Sequence, residues 1–95
     1  MNDAEGKLEI SVDTWFVYIL RCADGSLYTG IAKDVSRRCE QHNAGTASRY
    51  TRGRLPVRVE YQEPQATRSL ALKREAAVKE LTRLEKDLLL RRAAQ

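Results

Sequence analysis

The sequence predicts a small α+β domain in which a three-stranded, mainly antiparallel sheet is flanked by helices in the order β-β-α-β-α-α. Two runs of aromatic and β-branched residues lie on either side of an Asp-Gly pair, and a later stretch alternates apolar with charged residues. Apolar residues also recur at helical spacing, between the second and third strands and again after the third. Because the chain has 95 residues, it can bury one modest core, and we expect a single domain.

The first two strands form a predicted hairpin. The first run extends from Trp15 to Leu20 and the second from Ser26 to Ile31, with Asp24-Gly25 between them. An Asp-Gly pair between two such runs is a strong hairpin signal, because glycine adopts the positive φ angle that a tight turn needs.

Side-chain alternation along this hairpin decides whether its two tyrosines lie together. A two-residue loop would place Tyr18 and Tyr28 on opposite faces, whereas a three-residue loop at residues 23–25 pairs Tyr28 with Leu20 and Tyr18 with Gly30. We predict the three-residue loop. It sets both phenols on one face of the sheet, beside a glycine that leaves room for a ligand.

A helix is predicted directly after the hairpin. Asp34 is a good N-cap, Val35, Cys39 and His42 recur at helical spacing, and residues 43–45 (Asn-Ala-Gly) provide a stop. Residues 46–56 then have the composition of a loop with three arginines and no acid. The stretch 57–61 alternates apolar and charged residues and predicts a strand with one solvated face.

Two further helices are predicted in the C-terminal third. From Thr67 onwards the apolar residues form a stripe at steps of three, four and seven. Thr82 and Glu85 have the spacing of a capping box, so a new helix is expected to begin there. The members of the first stripe are Leu70, Ala71, Ala77, Val78 and Leu81.

Charge is distributed unevenly along the chain. One lysine against four acids gives residues 1–13 a charge of −3, which leaves +7 on residues 14–95 out of a total of +4. We expect residues 1–13 to be a flexible acidic tail and residues 14–92 to form the domain. A basic domain, with a pI near 9.3 for the whole chain, favours a polyanionic partner, and nucleic acid before a membrane.

The sequence also predicts the cellular compartment. No apolar stretch approaches the roughly 18 residues of a membrane span, and the acidic N-terminus is unlike a secretory signal. We therefore expect a cytoplasmic protein with no membrane partner, in which Cys22 and Cys39 stay reduced. Cys39 and His42 have the spacing of two helical metal ligands, but a zinc site would need further members, and both cysteines are expected in the core.

Five elements of the sequence together resemble the GIY-YIG nuclease superfamily. Phe16-Val17-Tyr18 and Tyr28-Thr29-Gly30 stand at the places of its two strand motifs, and Arg38, His42 and Glu75 stand at the places of its helical residues. The resemblance is greatest to small single-domain members related to the nuclease module of the excinuclease C subunit. It implies the GIY-YIG fold, a phosphodiesterase activity and a divalent metal.

The resemblance covers the chain from about Trp15 to Leu90, with some departures. Phe16 replaces a glycine and Thr29 an isoleucine, both at framework positions. Ile31 stands where the excinuclease module has a lysine, and Lys33 is the nearest substitute for that cation.

The two helical residues Arg38 and His42 are four positions apart, so they project from one helix face. In a nuclease, Arg38 would clamp the scissile phosphate through two parallel hydrogen bonds. His42 would orient the attacking water or help a tyrosine to act as the base. The alternative for His42 is a half-buried side chain with no role in chemistry.

Glu75 lies at the edge of the apolar face that Ala71, Leu72 and Val78 form, which is unfavourable for a carboxylate unless it meets a cation. An ion pair with Lys79 or Arg38 would satisfy it. The resemblance favours a metal instead, because one carboxylate with water and substrate phosphate is a typical site for Mg²⁺ or Mn²⁺.

Nucleic-acid contacts are expected mainly from the basic loop, where phosphate contacts do not depend on base sequence and a tyrosine can stack on a base. The predicted contacts are Lys33, Arg37, Arg49, Tyr50, Arg52 and Arg54.

We therefore predict a metal-dependent endonuclease of low sequence specificity, with DNA favoured over RNA and with Tyr18 or Tyr28 as the base. A non-catalytic nucleic-acid-binding module on the same fold is the alternative. A less favoured one is a protein-interaction adaptor acting through Leu88, Leu89 and Leu90. A partner protein would supply any targeting, and the oligomeric state is left open.

Overall fold

The computed structural model describes residues 10–94, and its elements confirm the predicted α+β class and order. Most of the predicted tail at residues 1–13 lies outside the described residues. The strands are β1 (Trp15–Arg21), β2 (Leu27–Ala32) and β3 (Arg58–Gln65), and the helices are α1 (Val35–Asn43), α2 (Arg49–Arg52), α3 (Arg68–Lys79) and α4 (Arg83–Ala93). The three strands form one antiparallel sheet in the order β2-β1-β3.

The hairpin has the predicted three-residue loop. Tyr18 pairs with Gly30 and Leu20 with Tyr28, and Gly25 has a φ of +87°. Both tyrosines therefore lie on the same face of the sheet, since residues two apart on a strand share a face. The prediction drawn from side-chain alternation is confirmed.

Strand β3 is longer than the predicted 57–61. It continues to Gln65 and includes Pro64, which interrupts the alternation that predicts a strand. Because β3 lies at the edge of the sheet, Pro64 can sit beside Phe16 of β1 without leaving a second neighbouring strand unpaired.

The predicted loop at residues 46–56 contains a one-turn helix, α2. The Ser48 side chain caps it by accepting a hydrogen bond from the backbone N–H of Tyr50 at 3.0 Å. A single turn carries no repeating apolar pattern, so sequence periodicity could not distinguish it from a loop. The N-caps predicted at Asp34 and Thr82 are formed, and Thr67 caps α3.

The central strand β1 is buried on both faces and separates two parts of the core. Val17 and Ile19 face α3 and α4, while Tyr18 and Leu20 face α1. The first part includes Ala71, Val78 and Leu90, and the second includes Cys22, Ala32, Val35 and Val57. Because Leu90 is in the core and Leu89 packs against it, only Leu88 of the three adaptor leucines is exposed.

Helix α3 is attached to β3 through one polar cluster. Arg74 donates to both carboxylate oxygens of Glu63, at 2.7 and 3.2 Å, and the Tyr61 hydroxyl donates to the same carboxylate. Burial, reinforced by Glu63, raises the pKa of Tyr61 to about 12, so this hydroxyl remains a donor. The cluster fixes α3 relative to the sheet, and with it the position of the neighbouring residue Glu75.

No helix within residues 10–94 has the length and apolar character needed to cross a membrane.

Candidate active site

A buried chain of three polar side chains connects β1, α1 and α2. The Tyr18 hydroxyl lies 2.9 Å from Nε2 of His42, and the other ring nitrogen, Nδ1, lies 2.8 Å from Oγ1 of Thr51. The three side chains are 2%, 1% and 0% exposed, so bulk water does not compete for these hydrogen bonds. Predicted site residues Tyr18 and His42 are therefore in direct contact, and Thr51 is a neighbour that the sequence analysis missed.

Tyr28 makes three aromatic contacts, one of them with His42. The Tyr28 ring meets the His42 ring edge-on with centroids 5.0 Å apart, and it lies 6.4 Å from the Tyr18 ring. The Tyr28 ring also stacks on the ring of Tyr50, with centroids 6.0 Å apart and an interplanar angle of 28°. Tyr28 is half-buried, so it forms the boundary between the buried chain and the surface.

Gly30 does not leave room for a ligand, contrary to the sequence-based expectation. A Cβ atom placed on Gly30 would lie 2.6 Å from the Tyr18 hydroxyl oxygen and 2.8 Å from the ring carbon that bears it. The Tyr18 ring occupies the space that a side chain at residue 30 would take, and it packs directly on the backbone of the neighbouring strand. The position of the Tyr18 phenol therefore requires a glycine at residue 30.

The electrostatics of the site favour a neutral tyrosine and a neutral histidine. Burial raises the pKa of Tyr18 far above its usual value, with Tyr28 and Glu75 adding to the rise and Arg38 opposing it. Burial, followed by the Arg38 guanidinium, lowers the pKa of His42. Arg38 and Glu75 both influence the pKa of Tyr18, and the Tyr28 ring contacts both Tyr18 and His42.

Glu75 forms the ion pair that the sequence offered as an alternative to a metal. Nζ of Lys79 lies 3.3 Å from the Glu75 carboxylate, whose side chain is 18% exposed. Within residues 10–94, no group of three or more histidine, cysteine or acidic side chains is placed to hold a metal ion. A lone carboxylate does fit Mg²⁺ or Mn²⁺, because Mg²⁺ commonly keeps several waters and takes substrate phosphate as a further ligand.

The predicted nucleic-acid contacts divide into free and engaged side chains. Arg54 donates to Asp24 at 3.1 Å and to the Tyr50 carbonyl at 2.7 Å, and its guanidinium lies 3.8 Å above the Tyr50 ring. A nucleobase can therefore reach only the part of Tyr50 that Arg54 and Tyr28 leave uncovered. Lys33 lies 5.7 Å from the ring of Trp15, towards the opposite end of β2 from Tyr28. Among the predicted contacts, the exposed arginines are Arg37, Arg49 and Arg52.

A cavity of about 230 Å³ opens at the edge of β2, beside the aromatic cluster. Tyr28 and Tyr50 line one part of it, and Lys79 and Lys86 line another. The half-buried Lys86 belongs to no ion pair among the described residues. Neither lysine is among the nucleic-acid contacts predicted from the sequence, because both lie on helices whose apolar periodicity indicates only the buried face.

These features define the class of protein. Residues 14–87 match the family model described as the GIY-YIG catalytic domain, and the chain belongs to the GIY-YIG family. Among the relatives it resembles, a UPF0213 protein of Staphylococcus aureus (strain Mu3) is 52% identical over 80 residues, which are 84% of this chain and 98% of that protein.

Two solved structures are also similar. The solution NMR structure of a UPF0213 protein from Bacillus halodurans has a TM-score of 0.53 and 42% identity, covering 81% of this chain and 82% of the other. The solution NMR structure of a protein from E. faecalis has a TM-score of 0.60 and 39% identity, covering 90% and 92%.

Proposed function

We propose that this protein is a metal-dependent endonuclease that hydrolyses phosphodiester bonds in nucleic acid, with DNA favoured as the substrate. The observation that carries the proposal is the hydrogen bond of 2.9 Å between the buried Tyr18 hydroxyl and His42, in a region that Arg38 and Glu75 both influence. Membership of the GIY-YIG family supports nuclease chemistry at this place.

In this proposal Tyr18, rather than Tyr28, is the general base. A neutral phenol is a weak base, and Tyr18 gains basicity as its proton moves to Nε2 of His42, to which its hydroxyl is hydrogen-bonded. At the same time the Tyr18 oxygen takes a proton from the attacking water. Because the site favours neutral partners, we expect these two proton transfers to be concerted with attack on phosphorus.

Arg38 and Glu75 supply the charges that phosphate chemistry needs. Arg38 would hold the scissile phosphate, for which a guanidinium is suited by its two parallel donors. Glu75 would hold Mg²⁺ or Mn²⁺, and the bound metal would polarise the phosphate and offset the negative charge of the transition state. Lys79 would then exchange its contact with Glu75 for one with the substrate backbone.

The substrate would approach from both sides of the β2 edge. Exposed Arg49 and Arg52 lie on the α2 side, and Lys79 and Lys86 lie on the side of α3 and α4. Contacts of this kind recognise the backbone and carry no sequence information, so we expect low sequence specificity and targeting by substrate shape or by a partner protein.

The test is to incubate the purified protein with plasmid DNA, single-stranded DNA and RNA, each with Mg²⁺, Mn²⁺ or EDTA. Glu75→Ala and Arg38→Ala should each reduce cleavage by about 100-fold or more, the scale of losing one transition-state contact. Glu80→Ala is the matched control, because Glu80 is an exposed glutamate at the end of the same helix and belongs to no ion pair among the described residues.

Two results would contradict the proposed endonuclease activity. Metal-independent binding without cleavage would favour a non-catalytic nucleic-acid-binding module. Cleavage that both substitutions leave unchanged would point to a contaminating nuclease or to a different site.

A further inference from the structure

We propose that Thr51 is a positioning residue that fixes which nitrogen of His42 carries the proton. The inference rests on the proposed function for its catalytic meaning, although the tautomer itself is a property of the free protein. A neutral imidazole has one N–H donor and one acceptor nitrogen, so its two hydrogen bonds must run in opposite senses. Tyr18 and Thr51 both present hydroxyl groups to it, at 2.9 and 2.8 Å.

The other hydrogen-bond options of the two hydroxyls decide between the tautomers. Oγ1 of Thr51 has a second acceptor, the Ser48 carbonyl at 3.4 Å, so it can accept from Nδ1–H of His42 and still place its own proton. Among residues 10–94, the Tyr18 hydroxyl has no hydrogen-bond partner other than His42. If Nε2 carried the proton, the buried Tyr18 proton would have no acceptor, which is unfavourable for a donor shielded from water.

All three protons are therefore satisfied in one arrangement only. Tyr18 donates to Nε2, Nδ1–H of His42 donates to Thr51, and Thr51 donates to the backbone of Ser48. The lone pair of Nε2 points at the Tyr18 proton, which is the state that proton transfer from the tyrosine requires.

The catalytic consequence is a balanced proton transfer. As a water proton moves to the Tyr18 oxygen and the water oxygen bonds to phosphorus, the Tyr18 proton moves to Nε2 of His42. The P–O bond to the leaving nucleotide oxygen breaks, and that oxygen takes a proton from solvent. The resulting imidazolium keeps its Nδ1–H on Thr51 and later releases the added proton to solvent. Thr51 is 0% exposed and touches no substrate, so it acts only through His42.

The chain is well suited to a direct test, because it contains a single histidine. Ring ¹⁵N NMR of the purified protein at neutral pH should show Nδ1 protonated and Nε2 unprotonated. Thr51→Val removes the acceptor and should shift the tautomer towards Nε2–H, and Thr51→Ser should restore the original state. In Tyr18→Phe the Nδ1–H tautomer should persist, since Thr51 still holds it.

Cleavage rates of the same variants test whether the tautomer of His42 matters for activity. Thr51→Val should lower kcat by about 10- to 100-fold with little change in KM, by analogy with the scale found for side chains that orient metal-binding histidines, and Thr51→Ser should recover most of it. An Nε2–H tautomer in the unmodified protein would overturn the inference, as would an unchanged tautomer in Thr51→Val. If Thr51→Val does not fold, the unmodified protein and Tyr18→Phe decide, and loss of Nδ1–H in Tyr18→Phe refutes the role of Thr51.

The two proposals can fail separately. A protein that cuts no nucleic acid with any metal refutes the nuclease, yet its His42 tautomer still reports on Thr51. Conversely, active protein with Nε2 protonated keeps the nuclease and removes Thr51 from its mechanism.

Discussion

Replacing Gly30 with alanine should displace Tyr18 and so break the buried hydrogen bond on which the proposed activity depends. The added Cβ would lie 2.6 Å from the Tyr18 hydroxyl oxygen and 2.8 and 3.1 Å from two ring carbons. Contacts below 3.0 Å force a movement, and the phenol is held by its hydrogen bond to His42 at 2.9 Å. Because the closest contact is with the hydroxyl oxygen itself, we expect the movement to break that bond.

The expected loss of stability has two parts. Inserting a methyl group into a packed core costs about 1–3 kcal/mol, and leaving a buried polar atom of Tyr18 or His42 without its partner costs about a further 1–3 kcal/mol. We therefore expect Gly30→Ala to lower the free energy of unfolding by at least about 2 kcal/mol. With a urea m-value of about 1–2 kcal/mol per M for a small domain, the unfolding midpoint should fall by about 1 M or more.

The assay is urea unfolding followed by circular dichroism, with Gly53→Ala as the matched control. A Cβ on Gly53 meets no atom within 4 Å, and its φ of −92° suits any residue, so this change should alter stability by less than about 1 kcal/mol. In a Tyr18→Phe background the cost of Gly30→Ala should be smaller, because the closest contact and the hydrogen bond are already absent. Equal stability of Gly30→Ala and Gly53→Ala, or an unchanged cost in the Tyr18→Phe background, would refute the reasoning.

Two other predictions concern binding and pH. Lys86→Gln should weaken binding of single-stranded DNA and lower the slope of log affinity against log salt concentration by about 0.7, the contribution of one phosphate contact. Lys73→Gln, which changes an exposed lysine that does not line the cavity, should alter neither the affinity nor the slope. Equal effects of the two variants in a salt titration would remove the cavity from the substrate path. Because burial and Arg38 lower the pKa of His42, the unfolded chain binds the proton more readily, so stability should decrease as the pH falls below about 6.5, the ordinary imidazole pKa. His42→Gln should lack this part of the pH dependence, and an identical stability profile for both proteins would contradict it.

Local rules of the sequence predicted much of the fold. A three-residue loop closed by a glycine at positive φ fixes the strand register, and the register alone places Tyr18 and Tyr28 on one face. The helix starts at Asp34 and Thr82 are equally local, since each capping side chain bonds a backbone N–H three residues on. The end of β3 was not predicted, because Pro64 is tolerated only by virtue of the edge position of that strand in the sheet.

The sequence by itself determined which side chains are available for chemistry, because their types and helical or strand spacing are written in the chain. Only the tertiary structure decided what those side chains meet. Thr51 lies in a segment without periodicity and reaches His42 because α2 packs beside α1, while the space at Gly30 is filled by a ring from the neighbouring strand. Spacing along a chain fixes direction within one element, whereas contacts between elements depend on how the elements pack, and packing is decided by the whole core at once.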